Sequence, residues 1–112
     1  MQERDDGYAI RVPVPTGSAT DLTVTVRREV SVAEVTEAYR AAAAEGPLKG
    51  FLTFTDAPIV SGDIVTDPSS CIFDSGLTKV IGDQVKVVGW YDNEWGYSNR
   101  LVDITGLVAS KL

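Results

Sequence analysis

The sequence predicts an α+β fold, in which a mostly antiparallel or mixed β-sheet carries two helices, at about 31–45 and 94–111, on one face. Three observations lead to this prediction. Several segments place apolar residues at every second position, and two others place them at helical spacing. A Gly-Asp-Gln turn separates two β-branched runs, which is typical of a β-hairpin. The connections between segments are short, which favours antiparallel neighbours.

Two strands are predicted before the first helix. The first, residues 8–15, alternates apolar side chains from Tyr8 to Val14. Its prolines indicate an edge or an exit, because proline has no N–H to donate to a neighbouring strand. The second strand, residues 22–28, alternates cleanly and is expected to turn its apolar side chains toward a core. Residues 16–21 form a turn-rich loop between the two.

The first helix, residues 31–45, has marked signals at both ends. Ser31 and Glu34 form a capping-box pattern, in which each side chain bonds the backbone N–H of the other residue. Gly46 and Pro47 predict the end of the helix, because glycine adopts the left-handed conformation and proline cannot continue a helix. We expect a face of small residues to pack on the sheet, where the helix could support one parallel crossover.

Four later segments are interpreted as strands: residues 50–55, 70–74, 77–81 and 85–91. The last two form the predicted hairpin. Residues 59–68 are interpreted as a loop or a short strand.

A sharp corner follows the last predicted strand and leads into the second helix. Asp92 and Asn93 offer side-chain oxygens that can cap the N–H groups at a helix start. Tyr97 begins an apolar stripe that runs at helical spacing to Val108. The corner therefore crowds aromatic, amide and carboxylate groups onto an exposed rim. Such rims commonly carry functional sites, because a rigid scaffold positions the polar groups.

Composition narrows the possible functions of this chain of 112 residues, which is the size of one domain. The net charge of -6 argues against nucleic acid and anionic membranes as partners, since both need a basic surface. No apolar run is long enough to span a bilayer. A single cysteine cannot form an internal disulfide, so the cytoplasm is the expected compartment. The absence of histidine removes the commonest general base and metal ligand, and no metal site is predicted.

The corner also carries the resemblance of this sequence to a known family. The stretch WYDNEWGYSNR, residues 90–100, closely resembles the C-terminal signature of phosphorylating glyceraldehyde-3-phosphate dehydrogenase. Four further stretches match the same family in the same order: residues 7–15, 18–24, 46–50 and 67–75. The resemblance covers residues 7–112, whereas residues 1–6 follow the family pattern poorly and are expected to be a disordered start.

The resemblance implies only the last third or so of that enzyme, as part of its catalytic domain. The Gly-rich phosphate loop of the family's Rossmann domain is missing, and so are its nucleophilic cysteine pentapeptide and partner histidine. We therefore expect a fragment of an NAD-dependent glycolytic oxidoreductase. The parent enzyme converts glyceraldehyde 3-phosphate, NAD and phosphate into 1,3-bisphosphoglycerate. The isolated chain is predicted to be inactive and is not expected to bind NAD alone.

Three residues carry predicted binding roles. In the family, the counterpart of Arg11 contacts a phosphate oxygen, for which a guanidinium is well suited; without the resemblance it is an ordinary surface arginine. The counterpart of Asn93 holds the nicotinamide carboxamide, and the alternative is a helix N-cap. The counterpart of Tyr97 lines the nicotinamide pocket, and the alternative is a core aromatic. No catalytic residue is predicted, and Cys71 is interpreted as a small buried residue, because no histidine can activate it.

Two non-catalytic alternatives remain open. The family assembles as a homotetramer, so the chain could be an interaction or oligomerisation module that associates with itself or with the missing N-terminal part. Its unpaired strand edges would favour such association. A weaker alternative is a small anion-binding module around Arg11.

Overall fold

The computed structural model of the chain describes residues 6–112 and confirms the α+β prediction. The strands of this part are β1 (Ser18–Thr25), β2 (Leu52–Thr55), β3 (Cys71–Asp74), β4 (Lys79–Ile81) and β5 (Gln84–Tyr91), and the helices are α1 (Val32–Ala44) and α2 (Asn93–Ala109). Two short 3₁₀ turns lie at Ser61–Ile64 and Ser75–Leu77. None of the helices in this described part has the length and apolar character needed to cross a membrane.

The five strands form one mixed sheet in the order β1-β5-β3-β2, and β4 pairs with β5 beside this path. β5 runs antiparallel to β1, β3 and β4, while β2 and β3 are parallel. These directions make β1 and β2 parallel to each other, so α1 forms a crossover between them, as the sequence suggested. β4 and β5 form the predicted hairpin, and its turn begins at Gly82, where φ is +63°.

The end signals of α1 are confirmed. Ser31 is the N-cap: its hydroxyl accepts from the Glu34 N–H at 3.2 Å, and the Glu34 carboxylate accepts from the Ser31 N–H at 2.8 Å. The Ser31 N–H and the Arg28 guanidinium hold the pKa of Glu34 below its ordinary value, because both bond the charged form. Gly46 follows the helix with φ of +82°, the left-handed conformation expected of a helix-ending glycine.

The core lies between α1 and one face of the sheet. Tyr39 of α1 stacks on Phe73 of β3 with ring centroids 4.0 Å apart and planes inclined by 5°. Val85 and Val87 of β5 complete the buried cluster around Phe73. Burying apolar side chains of this size contributes about 1.5–3 kcal/mol each, so this cluster stabilises the packing of α1 on the sheet.

The predicted strand at residues 8–15 is wrong. Residues 6–17 contain no strand, and Tyr8 and Ile10 are 90% and 73% exposed. The Val14 N–H donates to the Val12 carbonyl at 2.8 Å, which makes a three-residue turn at the proline between them. Alternation gives a segment one apolar face, but a strand also needs a neighbouring backbone, and this segment pairs with none of the described strands.

β1 also differs from its prediction of residues 22–28. It begins at Ser18 and ends at Thr25, because its full length pairs with β5. Leu22 and Val24, which were expected to face a core, are 46% and 37% exposed. The helix α1 packs on β2 and β3, on the side of the sheet away from β1, and leaves these two side chains partly exposed. Of the predicted disordered start, residues 1–5 lie outside the part of the chain that the structure describes.

A close contact joins the two central strands. A Cβ placed on Gly89 of β5 would lie 2.4 Å from the Cys71 Sγ atom of β3, far inside van der Waals distance. Cys71 is half-buried, and burial raises the pKa of its thiol. The sulfur therefore fills the space that glycine leaves open, and it remains a thiol at neutral pH.

We predict that Gly89→Ala destabilises the fold by about 1–3 kcal/mol, the usual cost of overpacking. The added methyl group would strike the Cys71 sulfur, so Cys71→Ala in the same chain should restore most of the loss. Denaturant unfolding of both single variants and of the double variant measures the coupling. Simple additivity of the two single effects would contradict the proposed contact.

Candidate functional site

The corner after β5 is built around one buried carboxylate. Asp92 is 6% exposed and is the N-cap of α2. One of its oxygens accepts from the Trp95 N–H at 2.8 Å, and the other accepts from the Thr66 N–H at 2.8 Å. Asp92 thus ties the first turn of α2 to the loop that follows the Ser61–Ile64 turn. Asn93, the alternative N-cap, is instead the first residue of the helix.

These hydrogen bonds also fix the charge of the carboxyl group. The N–H groups of Trp95 and Thr66 hold the pKa of Asp92 below its usual range, since they stabilise the ionised form. A buried charge is costly unless it is hydrogen-bonded, and both oxygens of Asp92 have partners. The corner is therefore anchored by an ionised group at neutral pH.

The loop on the other side of this anchor is tightly held. Thr66 has φ of +64°, a left-handed conformation that is uncommon for a β-branched residue. The Asp67 carboxylate accepts from the Ser69 N–H at 2.8 Å, and the hydroxyls of Ser69 and Thr53 lie 2.7 Å apart. Ser69 is 7% exposed, so the loop is packed onto the edge of the sheet at this point.

α2 approaches this loop through a glycine. A Cβ on Gly96 would lie 2.9 Å from the Ser69 carbonyl oxygen, which leaves no room for a side chain. One turn later, the Arg100 guanidinium lies 4.6 Å from the centre of the Phe51 ring and donates to the Ser70 hydroxyl at 3.0 Å. The first two turns of α2 are therefore held by the cap, a close backbone approach and a cation–π contact.

The two predicted nicotinamide contacts lie together on the anchored turn. Asn93 and Tyr97 are four residues apart and share one face of the helix. Asn93 is exposed and Tyr97 is 70% exposed, so Tyr97 is not a core aromatic in this chain. An amide that can donate and accept thus stands beside an aromatic ring at an open rim.

Arg11 is exposed and lies in the strandless segment of residues 6–17. The end of that segment is linked to the corner by the Thr16 hydroxyl, which donates to the Glu94 carboxylate at 3.4 Å. Within residues 6–112, no hydrogen bond or ion pair joins Arg11 to Asn93 or Tyr97. No group of three or more potential metal ligands occurs in the same range.

Two contributors to the corner were not identified from the sequence. Arg100 was seen only as part of the signature, although an arginine one turn after a glycine on a helix could have suggested a packed face. Thr66 offers no signal, because its residue type disfavours the conformation that it adopts. Its role follows from the position of Asp92, which lies 26 residues away in the sequence.

We predict that Asp92→Asn destabilises the fold at neutral pH. The carboxylate uses one oxygen for each N–H group, whereas the amide has only one oxygen and places an NH₂ group at the other position. The stability from a carboxyl with a lowered folded pKa is complete above its unfolded pKa of about 3.9 and is lost as the pH falls through the folded value. The variant should therefore lose less stability than the parent on acidification from pH 5 to pH 2. Denaturant unfolding followed by tryptophan fluorescence at neutral and acidic pH measures the loss of stability and its pH dependence. Asp56→Asn at an exposed position controls for the change of charge. An unchanged pH dependence would contradict the anchor.

We also predict that Gly96→Ala destabilises the fold by about 1–3 kcal/mol through its clash with the Ser69 carbonyl. Gly106 lies in the same helix, and a Cβ placed on it would meet no neighbouring atom within 4 Å. Gly106→Ala should therefore stabilise the chain by about 0.5–1 kcal/mol, the ordinary gain in helix propensity. Thermal unfolding compares the two variants. A stabilising Gly96→Ala would show that α2 does not press on this loop.

Comparison with known proteins identifies the family. The sequence model described as glyceraldehyde 3-phosphate dehydrogenase, C-terminal domain, matches residues 1–93. The chain is similar to glyceraldehyde-3-phosphate dehydrogenase 2 of Streptomyces arenae, with 70% identity over 97% of this chain and 32% of the relative. It is also similar to glyceraldehyde-3-phosphate dehydrogenase of Mycobacterium tuberculosis, with 69% identity over 96% of this chain and 31% of the relative.

Glyceraldehyde-3-phosphate dehydrogenase 1 of Streptomyces avermitilis matches the whole chain at 64% identity over 33% of its own length. The chain thus spans about a third of the length of these relatives. The family model covers more than half of the chain, and the relatives align along nearly all of it. The chain therefore belongs to the glyceraldehyde-3-phosphate dehydrogenase family and corresponds to part of its C-terminal domain.

Proposed function

We propose that residues 7–112 are the C-terminal part of the catalytic domain of a phosphorylating glyceraldehyde-3-phosphate dehydrogenase and supply binding contacts to its active site. The observation that carries this proposal is the exposed Asn93–Tyr97 pair on an anchored corner, in a chain about 70% identical to proteins of that name. The whole enzyme would oxidise glyceraldehyde 3-phosphate with NAD and phosphate to 1,3-bisphosphoglycerate. Its proposed setting is glycolysis in the cytoplasm.

The proposed role of Asn93 is to bind the carboxamide of the nicotinamide ring. Its amide can donate to the carboxamide oxygen and accept from the carboxamide nitrogen. The backbone beneath it is held by the Asp92–Trp95 hydrogen bond, so the amide starts from a fixed position. Tyr97 stands one turn further along the same face and would form a wall beside the ring.

The proposed role of Arg11 is to bind phosphate, either on the substrate or as the free anion. A guanidinium offers paired donors that match two phosphate oxygens. The Thr16–Glu94 hydrogen bond brings the end of the Arg11 segment to the first turn of α2. This contact supports a site in which the anion and the nicotinamide lie against neighbouring parts of the chain.

The described residues contribute binding and orientation to this reaction rather than a bond-forming group. Attack on the aldehyde requires a thiolate, and burial raises the pKa of the Cys71 thiol. The sequence has no histidine to deprotonate it. In the proposed reaction, the nucleophile and the base therefore come from a polypeptide segment other than these 112 residues.

A second candidate function is non-catalytic association, which the surface of α2 favours. Leu101, Ile104 and Val108 of its apolar stripe are between 53% and 57% exposed. The proposed partner is the remaining part of the enzyme, within a homotetrameric assembly. Sedimentation of the chain with the N-terminal two thirds of the Streptomyces arenae relative tests this candidate, and separate sedimentation of the two would contradict it.

The binding roles are best tested in a chimera, in which residues 7–112 replace the matching segment of the Streptomyces arenae relative. We predict that the chimera forms NADH and that the 112-residue chain alone does not. In the chimera, Asn93→Ala should raise the KM for NAD about 2–10-fold, the effect of one neutral hydrogen bond. Arg11→Ala should raise the KM for phosphate or the aldehyde about 10–100-fold, because a charged contact is lost.

The control variant is Glu37→Ala, whose side chain is 73% exposed on α1, remote in sequence from both proposed contacts. It should leave both KM values unchanged. NADH formation by the purified chain alone would overturn the proposal. So would an active chimera in which neither Asn93→Ala nor Arg11→Ala changes a KM.

A further inference from the structure

Two segments of the chain meet at the candidate site, where one enters the sheet and the other leaves it. Ser18, the first residue of β1, pairs with Tyr91, the last residue of β5. The segment that carries Arg11 therefore enters the sheet directly beside the point at which the corner begins. An anion on one segment and a nicotinamide ring on the other are held in a fixed relation only if the two segments share a rigid support.

The Ser61–Ile64 turn provides such a support for the Arg11 segment. Ile64 is 1% exposed. Gly17 leads directly into β1 with φ of +90°, and a Cβ placed on it would lie 3.0 Å from the Ile64 Cδ1 atom and 3.6 Å from the Ser61 carbonyl oxygen. Contacts this close leave little room for a methyl group, so the end of the Arg11 segment rests on the buried Ile64 side chain.

The residues that follow Ile64 support the corner. The Ile64 carbonyl accepts from the Asp67 N–H at 3.1 Å, and the φ values of Val65 and Thr66 between them, -59° and +64°, are those of a type II turn. This turn presents the Thr66 N–H to Asp92, to which it donates at 2.8 Å. A shift of Ile64 would therefore move a hydrogen-bond donor of the Asp92 anchor.

We infer that Ile64 is a positioning residue, which holds the Arg11 segment and the Asn93–Tyr97 pair in one fixed arrangement. The inference rests on the proposed function, because it concerns the two binding contacts assigned there. The exposed hydrogen bond between Thr16 and the first turn of α2 joins the same two elements, but at 3.4 Å it is longer than a usual hydroxyl bond. The buried contact at Ile64 is therefore the stronger restraint.

Ile64→Val isolates this role, because it removes only Cδ1, the atom nearest to Gly17, and keeps a buried apolar side chain. In the chimera it should raise the KM for NAD and the KM for phosphate about 2–5-fold each, since both binding groups are misplaced rather than removed. Ile81→Val is the matched control. Ile81 is 78% exposed and pairs with Gln84, at the end of β5 remote from the corner, so both KM values should stay unchanged.

A double-variant cycle separates positioning from general stabilisation. With Asn93→Ala already present, Ile64→Val should no longer raise the KM for NAD, because the group that it positions is gone. With Arg11→Ala present, it should likewise no longer raise the KM for phosphate. A residue that only stabilised the fold would lower the amount of active enzyme, and hence the apparent kcat, equally in every background.

Hydrogen exchange measures the same coupling without catalysis. The N–H groups of Thr66 and Trp95 both donate to Asp92, so their exchange in the chimera, followed by mass spectrometry, reports on the anchor. Gly17→Ala adds a methyl group that presses on Ile64 and should speed the exchange of both amides at least about threefold. With Ile64→Val present, the effect should be smaller, because the methyl group takes the space that Cδ1 leaves. The backbone strain of alanine at φ of +90° is common to both backgrounds and cancels from the comparison.

Several outcomes would overturn the inference. These are unchanged KM values in Ile64→Val, additive effects in either double variant, and a Gly17→Ala effect on exchange that is absent or equal in the two backgrounds. Failure of the proposed function gives a different result, in which Arg11→Ala and Asn93→Ala themselves leave every KM unchanged. That result would reject the binding roles, and the positioning role with them.

Discussion

The backbone pairing of β5 is the constraint on which the rest of the structure depends. This strand pairs with β1 on one side and with β3 and β4 on the other, so it fixes the register of three neighbours. Its alternate side chains, Val85 and Val87, form the core under α1. The next residue with that orientation is Gly89, where the space is taken by the Cys71 sulfur. Because β5 is held along its whole length, its last residue delivers the chain to the corner in one defined position.

At that corner, a buried carboxylate fixes the position of the candidate site relative to the sheet. Asp92 accepts N–H groups from α2 and from the Thr66 loop, so a shift of either element would leave a charged oxygen without a partner. Burial of a charge is tolerable only while those bonds persist. The same anchor leaves the Asn93 and Tyr97 side chains facing outward. A rigid backbone beneath exposed polar groups is the arrangement that ligand binding requires, because little order must be gained when the ligand arrives.

Sequence patterns predicted those features whose causes are local. The capping box of Ser31 and Glu34, the Gly82 turn and the cap by Asp92 each involve residues within a few positions, and all three are present. Features that need a distant partner were less predictable. Alternation suggested a strand at residues 8–15, but the segment has no neighbouring strand. The candidate site divides in the same way: the Asn93–Tyr97 face follows from helical spacing, whereas its anchor on Thr66 depends on a contact across the fold.

The same distinction separates the corner from the open surfaces of this chain. The corner is complete in itself, because each buried polar group that holds it has its partner within residues 6–112. By contrast, no other part of residues 6–112 covers the α2 stripe or the β1 edge, and Ile104 and Leu22 remain about half exposed. Removing such apolar area from water is favourable at about 25 cal/mol per Å². The corner can therefore keep its shape whether or not another polypeptide is present, while the exposure of the open surfaces depends on whether one covers them.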